Sequence, residues 1–150
     1  MGCIINIEPP PGCIVRFISD LHLGHERCEA PPVAQLAPLL QGIGMLVVAG
    51  DMAETRKSGW RDKGLAAREE LRSLCREHGV QLVEISGNHD PDTPALVAKF
   101  WGGRVVAMHG HALYKEAAAI PQRHGDELVS HDHRGIQRAA VCLDGVLSER

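Results

Sequence analysis

The strongest constraint on the fold is a recurring pattern in which a short apolar run ends directly in polar residues that can bind metal. The clearest case is residues 80–85, a run rich in β-branched side chains. After a Ser-Gly pair, this run is followed by Asn88, His89 and Asp90. A buried strand has no packing reason to end in three such side chains. Because ligands of open α/β sheets bind beyond the carboxyl ends of strands, we interpret this segment as one edge of an active site.

Four other apolar runs end in the same way, at residues 18, 49, 108 and 129. Helical patterns between most of them predict parallel strands whose carboxyl ends gather on one side. Three carboxylates, one carboxamide and up to six imidazoles would then meet in one crevice. The polar residues that follow the five runs are Asp20 and His22, Asp51, Asn88, His89 and Asp90, His109 and His111, and His131 and His133.

Helices are expected around these strands. Apolar positions in residues 33–40 recur at helical spacing after a Pro-Pro pair. A second helix is predicted over residues 65–78, with Gly79 as its stop. The Thr93-Pro94 pair is typical of a helix start and predicts a third helix. Residues 52–63 lack periodicity and are expected to form a loop.

Two hairpins are also predicted. Residues 3–7 and 13–18 are apolar runs separated by a proline-rich break, and we expect them to pair. Residues 139–143 and 146–147 flank an Asp-Gly pair, which favours a second hairpin near the end of the chain.

The composition excludes several classes of protein. A chain of 150 residues predicts one domain, and its net charge of −3 argues against general affinity for nucleic acid or anionic membranes. Five aromatic residues are too few for a base-stacking platform. The chain has neither a membrane-spanning apolar stretch nor a signal-peptide pattern. Its five cysteines show no paired spacing, so we expect a soluble cytoplasmic protein with reduced thiols.

A crevice with so many polar groups is costly unless bound ions neutralise it. Mixed carboxylate and imidazole ligands suit Mn²⁺, Fe, Co²⁺ or Zn²⁺ better than Ca²⁺. The surplus of ligands predicts two ions that share a carboxylate, an arrangement that clamps a phosphoryl group and generates a hydroxide nucleophile. In an extended chain Asp20 and His22 would point to the same side, with Leu21 facing the core.

The order of these motifs resembles the calcineurin-like metallophosphoesterase family: Asp-x-His, Gly-Asp, Gly-Asn-His-Asp, a further His, and His-x-His. The resemblance covers about residues 14–134. It implies an α/β fold, a metallophosphoesterase-like β-sandwich flanked by helices, with a dinuclear metal site at the carboxyl ends of strands. Residues 1–150 would form a single phosphoesterase domain that is shorter at its carboxyl end than family members usually are.

The resemblance also implies a metal-binding role for each matching residue. Asp20 and His22 would bind the first ion, and Asp51 would bridge both ions. Asn88 and His109 would bind the second ion. Mn²⁺ is the favoured metal, with Fe, Zn²⁺, Co²⁺ and Ni²⁺ as alternatives.

Catalysis would depend on His89, which faces the leaving-group oxygen in the family, and on Asp90, which would orient His89. In the last motif His131 would bind the second ion and His133 the first. This chain departs from the family there, because Ser130 stands where the family has glycine.

Three further residues are candidates for contact with substrate. His25 extends the first motif towards the mouth of the site, and Arg56 lies in the segment after Asp51, where a basic side chain could meet phosphate. His111 follows His109 at alternate spacing and would contact substrate or support a ligand.

We therefore expect metal-dependent hydrolysis of a phosphodiester or phosphomonoester. A small-molecule or nucleotide substrate is favoured over nucleic acid, and no membrane partner is expected. Two alternatives stay open: a catalytically weakened scaffold or binding protein with the same fold, and a nuclease. A structural protein with a single metal ion is disfavoured by the surplus of ligands.

Overall fold

The computed structural model describes residues 3–114 and 140–143. This part of the chain is a small mixed α/β protein with two β-sheets, one α-helix and two 3-10 helices. The strands are Cys3–Ile7 (β1), Val15–Ile18 (β2), Met45–Ala49 (β3), Gln81–Ile85 (β4), Ala95–Phe100 (β5), Val105–Met108 (β6) and Ala140–Leu143 (β7). The α-helix is Ser58–Glu77 (α1), and the 3-10 helices are Val33–Leu40 and Gly110–Tyr114.

The first sheet has three parallel strands in the order β2-β3-β4. Val15 pairs with Met45, and Met45 pairs in turn with Gln81, so the three strands run in register. Their carboxyl ends lie at one edge of the sheet. The prediction of parallel strands is therefore confirmed for these three, and the polar segments that follow them begin side by side. It is wrong for the run that ends at residue 108, which forms β6 of the second sheet and pairs antiparallel with both neighbours.

The central strand β3 is buried on both faces because different layers cover them. Leu46 and Val48 belong to a core cluster shared with the first 3-10 helix and α1. Met45, Val47 and Ala49 belong to a second cluster that also contains residues of the other sheet. Helices were expected on both faces, but the second sheet covers one of them.

The second sheet has the order β1-β5-β6-β7, with β1 parallel to β5 and the other pairs antiparallel. The predicted hairpin of residues 3–7 with 13–18 is therefore wrong, since β1 and β2 belong to different sheets. The predicted helix after Thr93-Pro94 is also wrong. Ala95, Ala98 and Phe100 are buried in strand β5, which is bonded to a neighbour on each side.

Helix α1 begins at Ser58, so the loop predicted over residues 52–63 ends earlier than expected. Its first turns are largely exposed and carry no apolar stripe, which is why periodicity did not reveal them. Further along, Leu71 and Cys75 lie one helical turn apart and are buried, which is the apolar spacing typical of a helix that packs on a core. The helix ends at Glu77, before Gly79, which adopts a φ of 66°.

The predicted helix at residues 33–40 exists, but it is a 3-10 helix. Val33, Leu36 and Leu40 are buried, as the apolar spacing predicted. Pro38 lies inside it, and the backbone N–H of Gln41 donates to the Pro38 carbonyl three residues earlier. In an α-helix the ring of an internal proline clashes with the carbonyl four residues earlier, which disfavours the α-helical form here.

Several sequence-based predictions lie outside the described residues. These are the strand at residues 127–129, the histidines His131 and His133 that follow it, and the turn after residue 143 with the partner strand at 146–147. Strand β7 confirms the first half of that hairpin and pairs with β6. Within the described part of the chain, no helix is both long and apolar enough to cross a membrane.

Two glycines of α1 predict opposite effects of the same substitution. A methyl group at Gly59 would meet open space, whereas one at Gly64 would collide with the backbone of Glu54. Gly59→Ala should therefore stabilise the protein by about 0.5–1 kcal/mol, because alanine loses less backbone entropy in a helix. Gly64→Ala should destabilise it by about 1–3 kcal/mol through overpacking. Urea unfolding of both variants measures this difference, and equal effects would contradict the packing described here.

Candidate metal centre

The site forms where the segments after β2, β3 and β4 run beside one another. The backbone N–H groups of Asp20 and His22 donate to the carbonyls of Gly50 and Asp51 at 3.1 and 2.9 Å. Leu23 and Ala53 form an isolated parallel bridge one step further on. These bonds fix the first two polar segments to each other.

The backbone of three site residues is left-handed. Asp20, His22 and Asp51 have φ angles of 58°, 47° and 51°. Non-glycine residues held in this region cost about 1–3 kcal/mol each and concentrate at functional sites. The extended conformation assumed for Asp20 and His22 is therefore wrong, although both side chains still reach the same place.

Two overlapping groups of side chains could each hold a metal ion. The first contains His22, Asp51 and His89, and the second contains Asp20, Asp51 and His109. Within each group the potential ligand atoms lie within 4.8 Å of one another. Asp51 belongs to both groups. The structure thus brings together five of the predicted site residues, with four of them around the carboxylate of Asp51.

The Asp51 carboxylate is completely buried, and its two oxygens have different surroundings. Oδ1 accepts a hydrogen bond from the backbone N–H of His89 at 2.9 Å. Oδ2 has no hydrogen-bond partner among the described residues. It lies 3.6 Å from Nε2 of His109 and 3.8 Å from Nε2 of His22.

His109 supplies the second unsatisfied atom. Its ring is completely buried, and Nε2 finds no hydrogen-bond partner in the described part of the chain. The same atom is 3.5 Å from Oδ1 of Asp20. Burial alone would lower the pKa of His109, but contact with Asp20 and the charge of Asp51 outweigh it and raise that pKa. A cation at this position is therefore favoured electrostatically.

These atoms fit a divalent ion. Ligand atoms at tetrahedral positions about 2.0–2.1 Å from an ion lie roughly 3.4 Å apart. This is close to the 3.5 and 3.6 Å that separate His109 Nε2 from the oxygens of Asp20 and Asp51. Buried polar atoms without partners are rare and need an explanation. Binding of a metal ion would satisfy Asp51 Oδ2 and His109 Nε2 together.

Two glycines allow this close approach. A methyl group at Gly50 would collide with the His109 ring, and one at Gly87 would collide with the Asp51 carboxylate. Gly50 also has a φ of 89°, which favours glycine. The Gly-Asp and Gly-Asn-His-Asp motifs therefore need their glycines for steric reasons.

His89 is held at its backbone and at its ring. Its carbonyl accepts hydrogen bonds from the backbone N–H groups of Thr55 and Arg56 at 2.9 and 3.1 Å. Nδ1 of the ring lies 2.5 Å from Oε2 of Glu54, which is completely buried. The ring also packs edge-on against His22, with centroids 4.7 Å apart.

Glu54 is ionised and therefore determines which nitrogen of the His89 ring carries a proton. Burial disfavours its charge, but the contact with His89 and backbone N–H groups outweigh that effect and hold its pKa below the usual range. An ionised carboxylate can only accept, so Nδ1 of His89 carries a proton and donates it. Nε2 is then the nitrogen available for other chemistry.

Orientation of the His89 ring was predicted for Asp90, but in the structure Glu54 makes this contact. The Asp90 carboxylate is buried and accepts backbone N–H bonds from Gly87, Asp51 and Met52 at 2.7, 3.1 and 2.9 Å. Burial and the nearby Asp51 charge raise its pKa. Asp90 thus joins the segment after β4 to the segment after β3. Glu54 lies in an unremarkable Met-Ala-Glu-Thr sequence, so only the fold could reveal it.

Two of the other predicted residues lie next to members of the metal-binding groups, and two are outside the described residues. Asn88 is half-buried beside His89. Nδ1 of His111 lies 3.0 Å from Nδ1 of His109. This contact supports a role of His111 in holding the candidate ligand His109 in place. His131 and His133 are outside the described residues.

A cavity of about 230 Å³ opens beside the site. Its described lining includes His25 as predicted, together with Arg27 and Glu29, which sequence reasoning omitted. The His25 ring packs on Trp60 at 4.2 Å, and Nδ1 accepts the Arg27 backbone N–H at 2.9 Å. Arg56 is exposed and is not part of this lining.

Addition of Mn²⁺ should stabilise the protein through Asp51. At a concentration about 100 times Kd, binding to the native state raises Tm by roughly 5–10 °C in a chain of this length. Asp51→Asn should lose most of this shift, because Oδ2 is the atom shared by both groups. Asp62→Asn is the matched control, since Asp62 is exposed on α1.

Thermal unfolding with Mn²⁺ or with EDTA measures both variants. A Tm of the unsubstituted protein that does not respond to Mn²⁺, Co²⁺ or Zn²⁺ would contradict a metal centre. An equal response in Asp51→Asn would contradict the role of Asp51.

No family model matches this chain, and no curated protein matches it significantly.

Proposed function

We propose that this protein is a metal-dependent phosphoesterase that hydrolyses a phosphodiester or phosphomonoester of a small molecule or nucleotide. The observation that carries the proposal is the Asp51 carboxylate, shared by two His/Asp groups and buried with one unsatisfied oxygen. A carboxylate between two ligand sets is the arrangement expected of a two-ion centre. The resemblance of the motifs to the calcineurin-like metallophosphoesterases supports the same interpretation.

The proposal includes a finer description of the fold, a metallophosphoesterase-like β-sandwich flanked by helices. It is supported by the core cluster between the two sheets and by helix packing on the outer face of the three-stranded sheet. The site would lie at the carboxyl ends of β2, β3 and β4, with His109 contributed from the end of β6.

The chain's own residues suit two divalent ions. Asp20, His22, Asp51 and His109 would hold them, with Asn88 close by and Mn²⁺ as the favoured metal. When bound, these ions would supply Lewis acidity for the phosphoryl oxygens and lower the pKa of water at the site. His22 groups with Asp51 and His89, and its Nε2 also lies 4.0 Å from Oδ1 of Asp20, the residue with which the resemblance pairs it.

His89 would act on the leaving group. Attack by water forms a new P–O bond and breaks the bond to the leaving oxygen, which needs a proton. With Nδ1 donating to Glu54, Nε2 of His89 can carry that proton and transfer it. The negative charge of Glu54 stabilises the protonated ring, as the buried carboxylate of a catalytic triad does.

The cavity beside the site favours a small polar substrate. His22 and His89 form part of its lining, and His25 and Arg27 add hydrogen-bond donors to it. Because Nδ1 of His25 accepts a backbone N–H, its Nε2 carries the proton in the neutral ring. These donors suit phosphate or sugar oxygens.

The direct test is hydrolysis of bis-p-nitrophenyl phosphate by the purified chain with Mn²⁺, and with EDTA as the blank. We expect metal-dependent turnover, and a loss of about 10²–10⁴-fold in His89→Ala because general acid catalysis is removed. His78→Ala is the matched control, since His78 is exposed at the end of α1.

Two results would contradict this proposal. The first is no turnover of bis-p-nitrophenyl or p-nitrophenyl phosphate by a protein that binds Mn²⁺, Co²⁺ or Ni²⁺, which would favour a metal-binding scaffold. The second concerns His89 itself. Loss of the metal-induced Tm shift in His89→Ala would make His89 a ligand rather than an acid.

The substitution Glu54→Gln tests the contact between Glu54 and His89 separately from metal binding. The substitution keeps the shape of the side chain but removes the charge that stabilises the protonated His89 ring. We expect kcat to fall about 10–100-fold while the Tm shift with Mn²⁺ is retained. Unchanged kcat would show that the Glu54–His89 contact has no role in turnover.

A further inference from the structure

A buried arginine lies behind the site, in the middle of α1. Arg68 is only 5% exposed, although its guanidinium group is charged. Nε donates to Glu84 Oε2 at 2.9 Å, Nη1 to Asp92 Oδ2 at 3.1 Å, and Nη2 to Thr93 Oγ1 at 2.9 Å. All three nitrogens of the guanidinium group are therefore used, each on a different residue.

These partners stand on both sides of the segment that carries His89. We call residues 86–91 the His89 loop. Glu84 is in β4, just before the loop, whereas Asp92 and Thr93 follow it directly. The planar guanidinium group of Arg68 thus joins the start of the loop to its end.

The same network reaches His89 by a second route. Oδ1 of Asp92 lies 2.5 Å from the hydroxyl of Thr55, which is completely buried. Because the Asp92 carboxylate can only accept, the hydroxyl donates to it. The Thr55 backbone N–H in turn donates to the His89 carbonyl. Arg68 therefore supports both the loop and the segment against which His89 rests.

A buried ion pair of this kind is weak evidence for a role in stability. Removing a guanidinium group from water is costly, and buried ion pairs can often be replaced by apolar residues without loss of stability. The planar fork of arginine instead fixes the direction of each bond, which the single ammonium group of lysine cannot do. A side chain of this kind is suited to holding several segments in one geometry.

We propose that Arg68 is a positioning residue that sets the place of His89, and with it the leaving-group side of the site. This inference rests on the proposed phosphoesterase function, in which a displacement of His89 of about 1 Å costs up to roughly 100-fold in turnover. Arg68 belongs to neither metal-binding group and does not line the cavity described above. Its effect on turnover passes through the His89 loop.

Arg72 provides a matched control on the same helix. Its Nε and Nη2 donate to the two oxygens of Glu84 at 2.6 and 2.9 Å, and Nη1 lies 3.4 Å from Glu69. It therefore shares one partner with Arg68, but its recorded bonds do not extend to Asp92 or Thr93. Arg68→Lys and Arg72→Lys make the same chemical change with and without the connection across the loop.

The experiment measures kcat and KM for bis-p-nitrophenyl phosphate with Mn²⁺ in both variants. For Arg68→Lys we expect kcat to fall about 10–100-fold with KM changed less than about twofold, as for a misplaced catalytic group. Arg72→Lys should stay within about twofold of the unsubstituted protein. Equal kcat values in the two variants would overturn the proposal.

A double-mutant cycle separates positioning from general loss of stability. If Arg68 acts through His89, Arg68→Lys should cause no further loss of kcat in His89→Ala. A loss of the same size in both backgrounds would overturn the proposal. If Arg68→Lys does not fold, Asp92→Asn weakens the same connection with less change, and the same cycle applies.

A measurement without turnover keeps this inference separate from the proposed function. In an NMR spectrum of the full chain, the backbone amide of His89 should shift in Arg68→Lys and stay in place in Arg72→Lys. An unmoved His89 amide would overturn the positioning role even in an active enzyme. If the amide moves but the unsubstituted protein hydrolyses no phosphate ester, Arg68 positions His89 and the phosphoesterase proposal is wrong.

Discussion

The buried carboxylate of Asp51 is the interaction on which the rest of the site depends. One oxygen accepts the backbone N–H of His89, and the other faces the imidazoles of His22 and His109 without a hydrogen-bond partner in the described structure. The left-handed backbone at Asp51 and the lack of side chains at Gly50 and Gly87 make room for this arrangement. Such local strain is stable only because fully packed strands hold the segments on either side.

Three side chains hold the segments around this carboxylate in place. Asp90 joins the segments after β3 and β4 through three backbone N–H groups. Glu54 holds the His89 ring through its contact with Nδ1. Arg68, on helix α1, forms hydrogen bonds to residues at both ends of the His89 loop. Each of these side chains is buried and makes several hydrogen bonds, so its geometry is more restricted than that of a surface ion pair. A site built in this way is preorganised before any ligand arrives.

The strands that carry the site could be predicted from the sequence because apolar runs such as residues 45–49 need burial on both faces. The convergence of Asp20 and Asp51 followed from the parallel order of these strands and the motifs at their ends. His109 reaches the same place from β6 of the second sheet, an origin that was not predicted. Glu54 and Arg68 could not be found in this way, since their roles depend on contacts between segments distant in sequence. The helix expected after Thr93-Pro94 failed for a related reason. Thr93 accepts a hydrogen bond from Arg68, and pairing with β1 and β6 decides the conformation that follows.

His109 differs from the other candidate ligands because it belongs to the opposite sheet. It follows β6, whereas Asp20, His22, Asp51 and His89 follow strands of the three-stranded sheet. An ion held by Asp51 and His109 would therefore act as a cross-link between the two layers. In the unfolded chain these residues are far apart, so the free energy of binding would contribute directly to folding. The proposed metal centre would then also link one sheet of the protein to the other.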